Sequence, residues 1–281
     1  MSDWVLGSGF RAESFGTATA GTNDGATVVT SSATANTKGT YAQLIASTTF
    51  DSAAIMLDVN TNFGDTNYLL DIAVGAAGSE QILIPNIALA FNVGMAQSVL
   101  LPLAVPAGVR IAARCQDNFG SSVVRLSGQL FSSSFLNTPP FHSATAYGAV
   151  LTTSAGTIAD AGAVANTKGA WAQLTASTTQ SHDGILVASV KSPQSTVITA
   201  DYYQHADIGI GAAGSEKVLI PDLRSIGSRS PSSSFKGALQ PSFWCFPQCD
   251  IPAGARLAVR QLSSVTVAAD RANSYVVYGL S

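Results

Sequence analysis

The chain has 281 residues, 46% of them hydrophobic and only 11% charged, with a formal net charge of −3. The 14 lysines and arginines are scattered, so the basic stripe needed to bind nucleic acid is missing. No apolar run approaches the roughly 18 residues that cross a bilayer, and the three cysteines form no disulfide framework, so we expect no membrane span and a reducing compartment.

Strands are predicted along the whole chain, since glutamate is rare while Ser, Thr, Ala, Gly and Val are abundant, which suits helices poorly. Tyr68, Leu70, Ile72 and Val74 follow a period of two, as expected when one face of a strand is buried. An aromatic lead-in strand is predicted near Phe10. After it, eight further strands are predicted in the first half, near residues 26–31, 40–48, 53–59, 68–74, 80–84, 98–103, 109–115 and 122–130.

Three blocks of the first half return in the second half in the same order. Residues 35–49 return as 165–179 with 12 of 15 identities, and residues 71–85 return as 207–221 with 11 of 15, both by direct count. The third block, VPAGVRIAAR, returns as IPAGARLAVR. A duplicated domain explains this pattern. Each unit has an ordinary domain size and is expected to bury its own core.

Turn chemistry and composition set the predicted boundaries. Asn36–Gly39, Gly75–Gly78 and Pro106–Gly108, with their copies, are interpreted as turns between strands. A Pro-Pro pair marks a stiff linker. The predicted organisation is an N-terminal contact arm (1–9), a first repeat (10–131), the linker (132–140) and a second repeat with longer loops (141–281). The fold class is all-β: two tandem homologous antiparallel β-sandwich domains, jelly-roll-like.

Candidate chemical motifs favour structural interpretations. His142, His182 and His205 lack the spacing of zinc or nucleophile motifs and are interpreted as surface or loop residues. Cys245 and Cys249 are better explained as free thiols than as a disulfide or a zinc pair, and Cys115 is predicted to be buried.

Two loops resemble ligand loops without meeting their requirements. Asp58–Asp65 starts like a calcium loop, but its glycine comes one place late and its twelfth position is Leu69. Gly75–Ser79 suggests a phosphate loop, but a strand follows it rather than a helix. We therefore assign no catalytic, cofactor-binding or metal-binding residue, and we expect no cofactor.

Tyr202, Tyr203 and Trp244 lie where the second repeat is longest. Exposed aromatic rings stack on sugar faces, whereas buried ones pack in cores or interfaces, and core or interface packing is the favoured alternative. These three residues are the candidate contact surface, since specialised contacts are expected in loops that only one copy carries.

The combination of ANTKG-x-x-AQL, DI-x-x-GAAGSE-x-x-LIP and PAG-x-R is similar to a repeated β-sandwich domain among the structural genes of tailed bacteriophages, particularly those infecting Alphaproteobacteria. The resemblance covers most of both copies. It implies a virion component, assembled in the host cytoplasm, with no family catalytic residues to transfer.

The leading functional prediction is a non-enzymatic virion structural protein that decorates the capsid or forms part of the tail, collar or baseplate. Its partners would be capsid or tail subunits and further copies of itself, because weakly charged surfaces desolvate cheaply and symmetry multiplies modest contacts. The alternative is a receptor- or carbohydrate-binding module of a tail appendage that contacts a host glycan. A glycoside hydrolase would need paired acids, and nothing in the sequence points to them.

Overall fold

A computed structural model describes residues 10–16, 26–60, 66–91, 96–132, 140–192, 201–227, 242–268 and 270–281. Within these ranges the fold is all-β, as predicted. The proposed arm (1–9) and most of the proposed linker (132–140) lie outside the described residues. No helix in the described part of the chain is long and apolar enough to span a membrane.

The first repeat is a sandwich of two sheets. Sheet A has the order β2-β9-β4-β7, with β1 also paired to β9, and sheet B has the order β3-β8-β5-β6. This is the arrangement of an eight-strand jelly roll preceded by one extra strand. Its strands are β1 (Ala12–Phe15), β2 (Thr27–Thr30), β3 (Ala42–Ile45), β4 (Ser52–Asn60), β5 (Thr66–Val74), β6 (Gln81–Phe91), β7 (Ala96–Leu101), β8 (Ile111–Asp117) and β9 (Val123–Ser132).

The second repeat has the same topology. Sheet C has the order β12-β19-β14-β17, with β10 and β11 attached, and sheet D has the order β13-β18-β15-β16. Its strands are β10 (Ala144–Tyr147), β11 (Ala149–Val150), β12 (Ala155–Asp160), β13 (Ala172–Thr175), β14 (Gly184–Lys191), β15 (Tyr202–Ile210), β16 (Lys217–Gly227), β17 (Ser242–Phe246), β18 (Leu257–Ser263) and β19 (Ala272–Leu280).

All eight strands predicted for the first half are present, and so is the aromatic lead-in strand, β1. The largest difference is in β6, which runs on to Phe91 instead of ending at Ile84. A bulge in the β5–β6 pairing shifts the register around Ile72, and Asn86 has a positive φ of 55°. Strand pairing resumes after this bulge, so Pro85 interrupts the strand without ending it.

The predicted turns have the required backbone conformations. Gly75 and Gly78 have φ values of 110° and 84° in the β5–β6 hairpin, and their copies Gly211 and Gly214 have 116° and 80°. These conformations suit glycine, because a Cβ atom is disfavoured at positive φ. In both repeats this segment is therefore a hairpin turn, as predicted, and not a phosphate loop.

Each sandwich contains a hydrophobic core, and the two sandwiches also pack on each other. One hydrophobic cluster fills the second sandwich, between sheets C and D. The other fills the first sandwich and continues into the second repeat through Leu186, Val276 and Tyr278. Strand β6 of sheet B packs against β10 and β14 of sheet C. The central strands β14 and β19 of sheet C are therefore covered on both faces, which is why every residue of these two strands is buried.

Candidate functional site

Three charged residues shared by the two repeats form a polar lock on the outer face of sheet B and of sheet D. In the first repeat the lock is Lys38, Asp71 and Arg114. Lys38 Nζ lies 2.7 Å from Asp71 Oδ1, and Arg114 Nε lies 2.9 Å from Asp71 Oδ2. The Asn86 backbone N–H also donates to Asp71 Oδ1, at 2.9 Å, and the Arg114 guanidinium stacks 4.6 Å from the centre of the Tyr41 ring. Burial lowers the pKa of Lys38, against the pull of Asp71.

The second repeat builds the same lock from Lys168, Asp207 and Arg260. The distances from Asp207 are 2.7 Å to Lys168 Nζ and 3.0 Å to Arg260 Nε. Asp222 N–H donates to Asp207 Oδ1 at 3.1 Å, and Arg260 stacks 4.5 Å from Trp171. Burial alone would raise the pKa of Asp207, but hydrogen bonds from its two cations and from the Asp222 N–H outweigh it and hold the pKa below its usual value.

A second matched pair fixes the hairpin turn of each repeat. Arg110 Nη1 lies 3.0 Å from Glu80 Oε1, and Arg110 Nε donates to Gln43 Oε1 at 3.1 Å. Arg256 makes the same contacts, at 2.8 Å to Glu216 and 3.1 Å to Gln173. Each arginine therefore joins the glutamate of its hairpin turn to the neighbouring strand, β3 or β13.

Sequence reasoning did not find the polar locks, although a signal was available. Lys38, Asp71 and Arg114 are each identical in the other copy of a chain with only 11% charged residues. Each lock holds the loop before β3 or β13 to the neighbouring strands of its sheet. Because each buried carboxylate is already engaged by two cations and a backbone N–H, the shared charges stabilise the fold and leave the sheet faces nearly neutral.

The histidines take different positions: His182 lies in the loop between β13 and β14, as the loop interpretation allows, but it is not on the surface. His182 is buried, with Nε2 2.7 Å from Tyr147 Oη and Nδ1 2.8 Å from Ser281 Oγ. Burial lowers its pKa, opposed by the nearby Asp183 carboxylate. His142 is exposed. His205 is partly exposed on β15, where its ring meets the Tyr203 ring edge-on at 5.7 Å.

The cysteines are free thiols, as predicted. Cys115 is fully buried, its Sγ lies 3.6 Å from the Val29 carbonyl oxygen, and burial raises its pKa to about 12. Among the described residues, no group of three or more His, Cys, Asp or Glu is placed to hold a metal ion. Of the calcium-like segment Asp58–Asp65, only residues 58–60 are described, and Asp58 Oδ1 accepts a hydrogen bond from Ser98 Oγ at 2.5 Å.

The three aromatic residues of the candidate contact surface do not form one surface. Tyr202 is only 4% exposed, so its assignment to a contact surface is wrong: its ring packs over Gly227. Trp244 lies on β17 of sheet C and packs at the edge of the second core. Tyr203 is 40% exposed on sheet D. Tyr203 alone keeps the predicted exposure.

The contact between the two repeats combines apolar packing with hydrogen bonds from side chains and backbone. The Tyr278 hydroxyl donates to the Asn86 carbonyl at 2.8 Å and accepts from the Ala88 N–H at 2.8 Å. Phe141 N–H donates to the Pro102 carbonyl at 2.9 Å. Gln116 Nε2 donates to the Leu151 carbonyl at 2.7 Å. Backbone and side-chain hydrogen bonds therefore accompany the apolar packing of β6 on sheet C.

Equivalent positions in sheets A and C have diverged according to whether they are covered. The strand registers match Ile55 with Ile185, and Leu130 with Gly279. By this match, the outer face of sheet C has apolar residues where sheet A has mostly polar ones. The sheet C residues are Leu186, Ala188, Val190, Val276 and Tyr278, and their equivalents in sheet A are Met56, Asp58, Asn60, Ser127 and Gln129.

Sheets B and D have diverged in the same way. On the outer face of sheet B, Leu69 pairs with Ala88 and both are buried. The equivalent pair on sheet D is His205 with Arg224, and the next pair is Tyr203 with Ile226, which is 54% exposed. Among the described residues, no other sheet covers the outer face of sheet A or the outer face of sheet D, and these two faces are called the open faces below. They are the counterparts of the two faces that meet between the repeats.

No protein-family model and no curated protein matches the chain. Two solved structures are weakly similar. One is the tandem CBM22-1–CBM22-2 domain from Paenibacillus barcinonensis Xyn10C, with 9% identity, coverage of 98% of this chain and 92% of that chain, and a TM-score of 0.27. The other is infectious bursal disease virus, Gx strain, with 11% identity, 96% and 75% coverage, and a TM-score of 0.20.

Proposed function

We propose that the chain is a non-enzymatic structural subunit of a tailed-bacteriophage virion and that it works through protein–protein contacts. The observation that carries this proposal is the burial of the central strands β14 and β19, on the outer face of sheet C, by the sister sandwich. Leu186, Ala188 and Val190 are each no more than 1% exposed, although they lie on the outer face of sheet C. The module therefore already uses a sheet face to associate with another module of its own kind.

The surface chemistry of the modules supports assembly. The shared buried carboxylates are neutralised within each repeat by the polar locks, so the sheet faces carry few charges of their own. Faces with few charges lose little hydration free energy when another protein covers them. Such faces suit repeated, modest contacts between subunits.

The phage setting of the proposal rests on the resemblance of the repeated blocks. In this setting the subunit is assembled in the host cytoplasm and resides in the virion, as a capsid decoration or as part of the tail, collar or baseplate. Its partners are capsid or tail subunits and further copies of the chain. The proposed role uses no nucleic acid, membrane or cofactor.

Particles of the phage that encodes the chain provide the test. Mass spectrometry of purified virions should find the chain at a fixed ratio to the major capsid or tail protein, and a cryo-EM map should show paired jelly rolls at symmetry-related positions. The purified chain should also bind isolated capsids or tails. Absence of the chain from virions, with no binding to any particle component, would refute the proposal.

The alternative role is a carbohydrate- or receptor-binding module of a tail appendage, and the exposure of Tyr203 favours it. Tyr203 meets the His205 ring edge-on, and its hydroxyl donates to Asn166 Oδ1 at 3.1 Å, so the ring is held in place. A fixed, exposed ring is a suitable platform for the apolar face of a sugar.

A glycan array distinguishes this role from assembly. Saturable binding that is lost in Tyr203→Ala and kept in Trp244→Ala would support sugar recognition on sheet D. Trp244 is the matched control because its ring packs at the edge of the second core. Loss of binding in both variants, or no binding by the unmodified chain, would reject a Tyr203 sugar site.

A further inference from the structure

We propose that the open outer face of sheet D binds the outer face of sheet A from a second copy of the chain. This inference rests on the proposed assembly function and names its partner and surface. Within one chain, the outer face of sheet B meets the outer face of sheet C. Sheet D is the copy of sheet B, and sheet A is the copy of sheet C. The proposed contact repeats between molecules the contact that already joins the two repeats.

The backbone at the proposed docking site has the geometry of the existing one. Asn86 and Asp222 occupy equivalent bulges, with φ values of 55° and 51°. The N–H of each donates to the carboxylate of its own polar lock, Asp71 or Asp207. The bulge therefore sets the Asp222 carbonyl and the Arg224 N–H in the positions that the Asn86 carbonyl and the Ala88 N–H occupy in the first repeat.

Sheet A has a side chain suited to these two backbone groups. In the intramolecular contact the Tyr278 hydroxyl both donates to the Asn86 carbonyl and accepts from the Ala88 N–H. The equivalent of Tyr278 on sheet A is Gln129, which pairs with Met56 as Tyr278 pairs with Leu186. An amide side chain also donates and accepts, so Gln129 can satisfy the Asp222 carbonyl and the Arg224 N–H together.

Apolar groups on the two open faces complement this hydrogen bonding. On sheet D the directly opposed pair Tyr203 and Ile226 is exposed. On sheet A, Val28 and Leu100 are 39% and 40% exposed, and Leu100 pairs with Met56 beside the Gln129 position. Covering these side chains removes apolar surface from water, which favours association.

The charges of the two faces also match. Asp58 lies two residues from Met56 on β4, on the same face as Gln129, which is the residue proposed to meet the Arg224 backbone. Arg125 lies on the same face but four residues from Gln129 along β9, about 13 Å away. The Arg224 guanidinium therefore meets the Asp58 carboxylate rather than a like charge. Because the two faces differ, the contact is head-to-tail and builds a ring or a filament.

Charge reversal in the full-length chain tests this contact. Analytical ultracentrifugation should show concentration-dependent self-association of the unmodified chain. Asp58→Arg or Arg224→Asp alone should weaken it about tenfold or more, because each places like charges together. Equal amounts of the two variants mixed together, and the double variant, should associate again, because each arrangement restores an opposite pair.

Lys217→Asp is the matched control. Lys217 is exposed on β16, and its equivalent Gln81 stays exposed beside the existing contact, so this reversal should leave association unchanged. Circular dichroism melts confirm that each variant is folded. A chain that is monomeric at every concentration, or single variants that no mixture rescues, would overturn the inference. The inference would also be overturned if the chain were monomeric and Arg224→Asp abolished glycan binding. A monomer that still binds capsids or tails would leave the proposed function standing.

Discussion

The phenol oxygen of Tyr278, in the second repeat, lies 2.8 Å from the backbone nitrogen of Ala88, in the first. The same hydroxyl donates to the Asn86 carbonyl, so one side chain satisfies two backbone groups on the outer side of β6. Burial raises the pKa of Tyr278, which keeps the phenol protonated and able to donate. This residue links the hydrogen bonding of one sandwich to the packing of the other.

Tyr278→Phe should lower the free energy of unfolding by about 1–3 kcal/mol, because it leaves a buried N–H and a buried carbonyl without their partner. Urea unfolding followed by circular dichroism measures the change. Gln129→Leu, at the equivalent position of the open sheet A, should change stability by no more than about 0.5 kcal/mol. Equal effects in the two variants would contradict the assignment of Tyr278 to the contact between the repeats.

Ala88→Arg should lower the free energy of unfolding by at least about 3 kcal/mol, because it places an unpaired charge in the buried contact between the repeats. The reverse change at the equivalent position, Arg224→Ala, removes a side chain from an exposed face. It should change the free energy of unfolding of the monomer by no more than about 0.5 kcal/mol. Thermal and urea unfolding of both variants measure this asymmetry. A mild effect of Ala88→Arg would mean that sheet B is open to solvent.

Asp207→Asn should lower the free energy of unfolding by about 3 kcal/mol at neutral pH, because it leaves two cations without their buried carboxylate. The pKa of Asp207 is lower in the folded chain than in the unfolded chain, so its stabilisation is complete above about pH 4 and is lost as the pH falls through the folded pKa. The variant should therefore lose less stability on acidification than the unmodified chain.

Asp222→Asn is the control for the Asp207 variant. Asp222 also pairs with Lys168, at 2.9 Å, but its side chain is 63% exposed. Exposed ion pairs contribute about 0–1 kcal/mol, so this variant should remain close to the unmodified chain. Urea unfolding at a series of pH values separates the two. Parallel pH profiles for Asp207→Asn and the unmodified chain would show that this carboxylate does not stabilise the fold.

His182→Ser should remove a pH dependence of stability near neutrality. Burial lowers the pKa of His182 below its unfolded value of about 6.5, so the unfolded chain takes up the proton first and stability falls as the pH drops below about 6.5. Serine is the residue at the equivalent position, Ser52. Stability measured between pH 7 and pH 5 should fall less in the variant, although the variant is less stable at pH 7 because His182 packs over Gly279. If stability falls equally with pH in the variant and in the unmodified chain, His182 is not the titrating group.

Local patterns in the sequence were sufficient to predict the strands and turns. Period-two alternation located β5 and β8, and the glycines at 75 and 78 located a hairpin turn, because both features depend on neighbouring residues only. The duplication predicted two sandwiches of one topology. It also contained an unused signal: β14 is apolar where its copy β4 alternates, as expected of a strand covered on both faces.

The sequence by itself determined an all-β chain of two homologous sandwiches, because alternation, turn residues and repeated blocks are readable along the chain. The tertiary structure alone decided which sheet faces meet, that Tyr202 is buried while Tyr203 is exposed, and that Lys38 and Asp71 belong to one lock. These facts depend on contacts between residues far apart in sequence. The period of a strand says which residues share a face, and only docking decides whether solvent or another sheet covers that face.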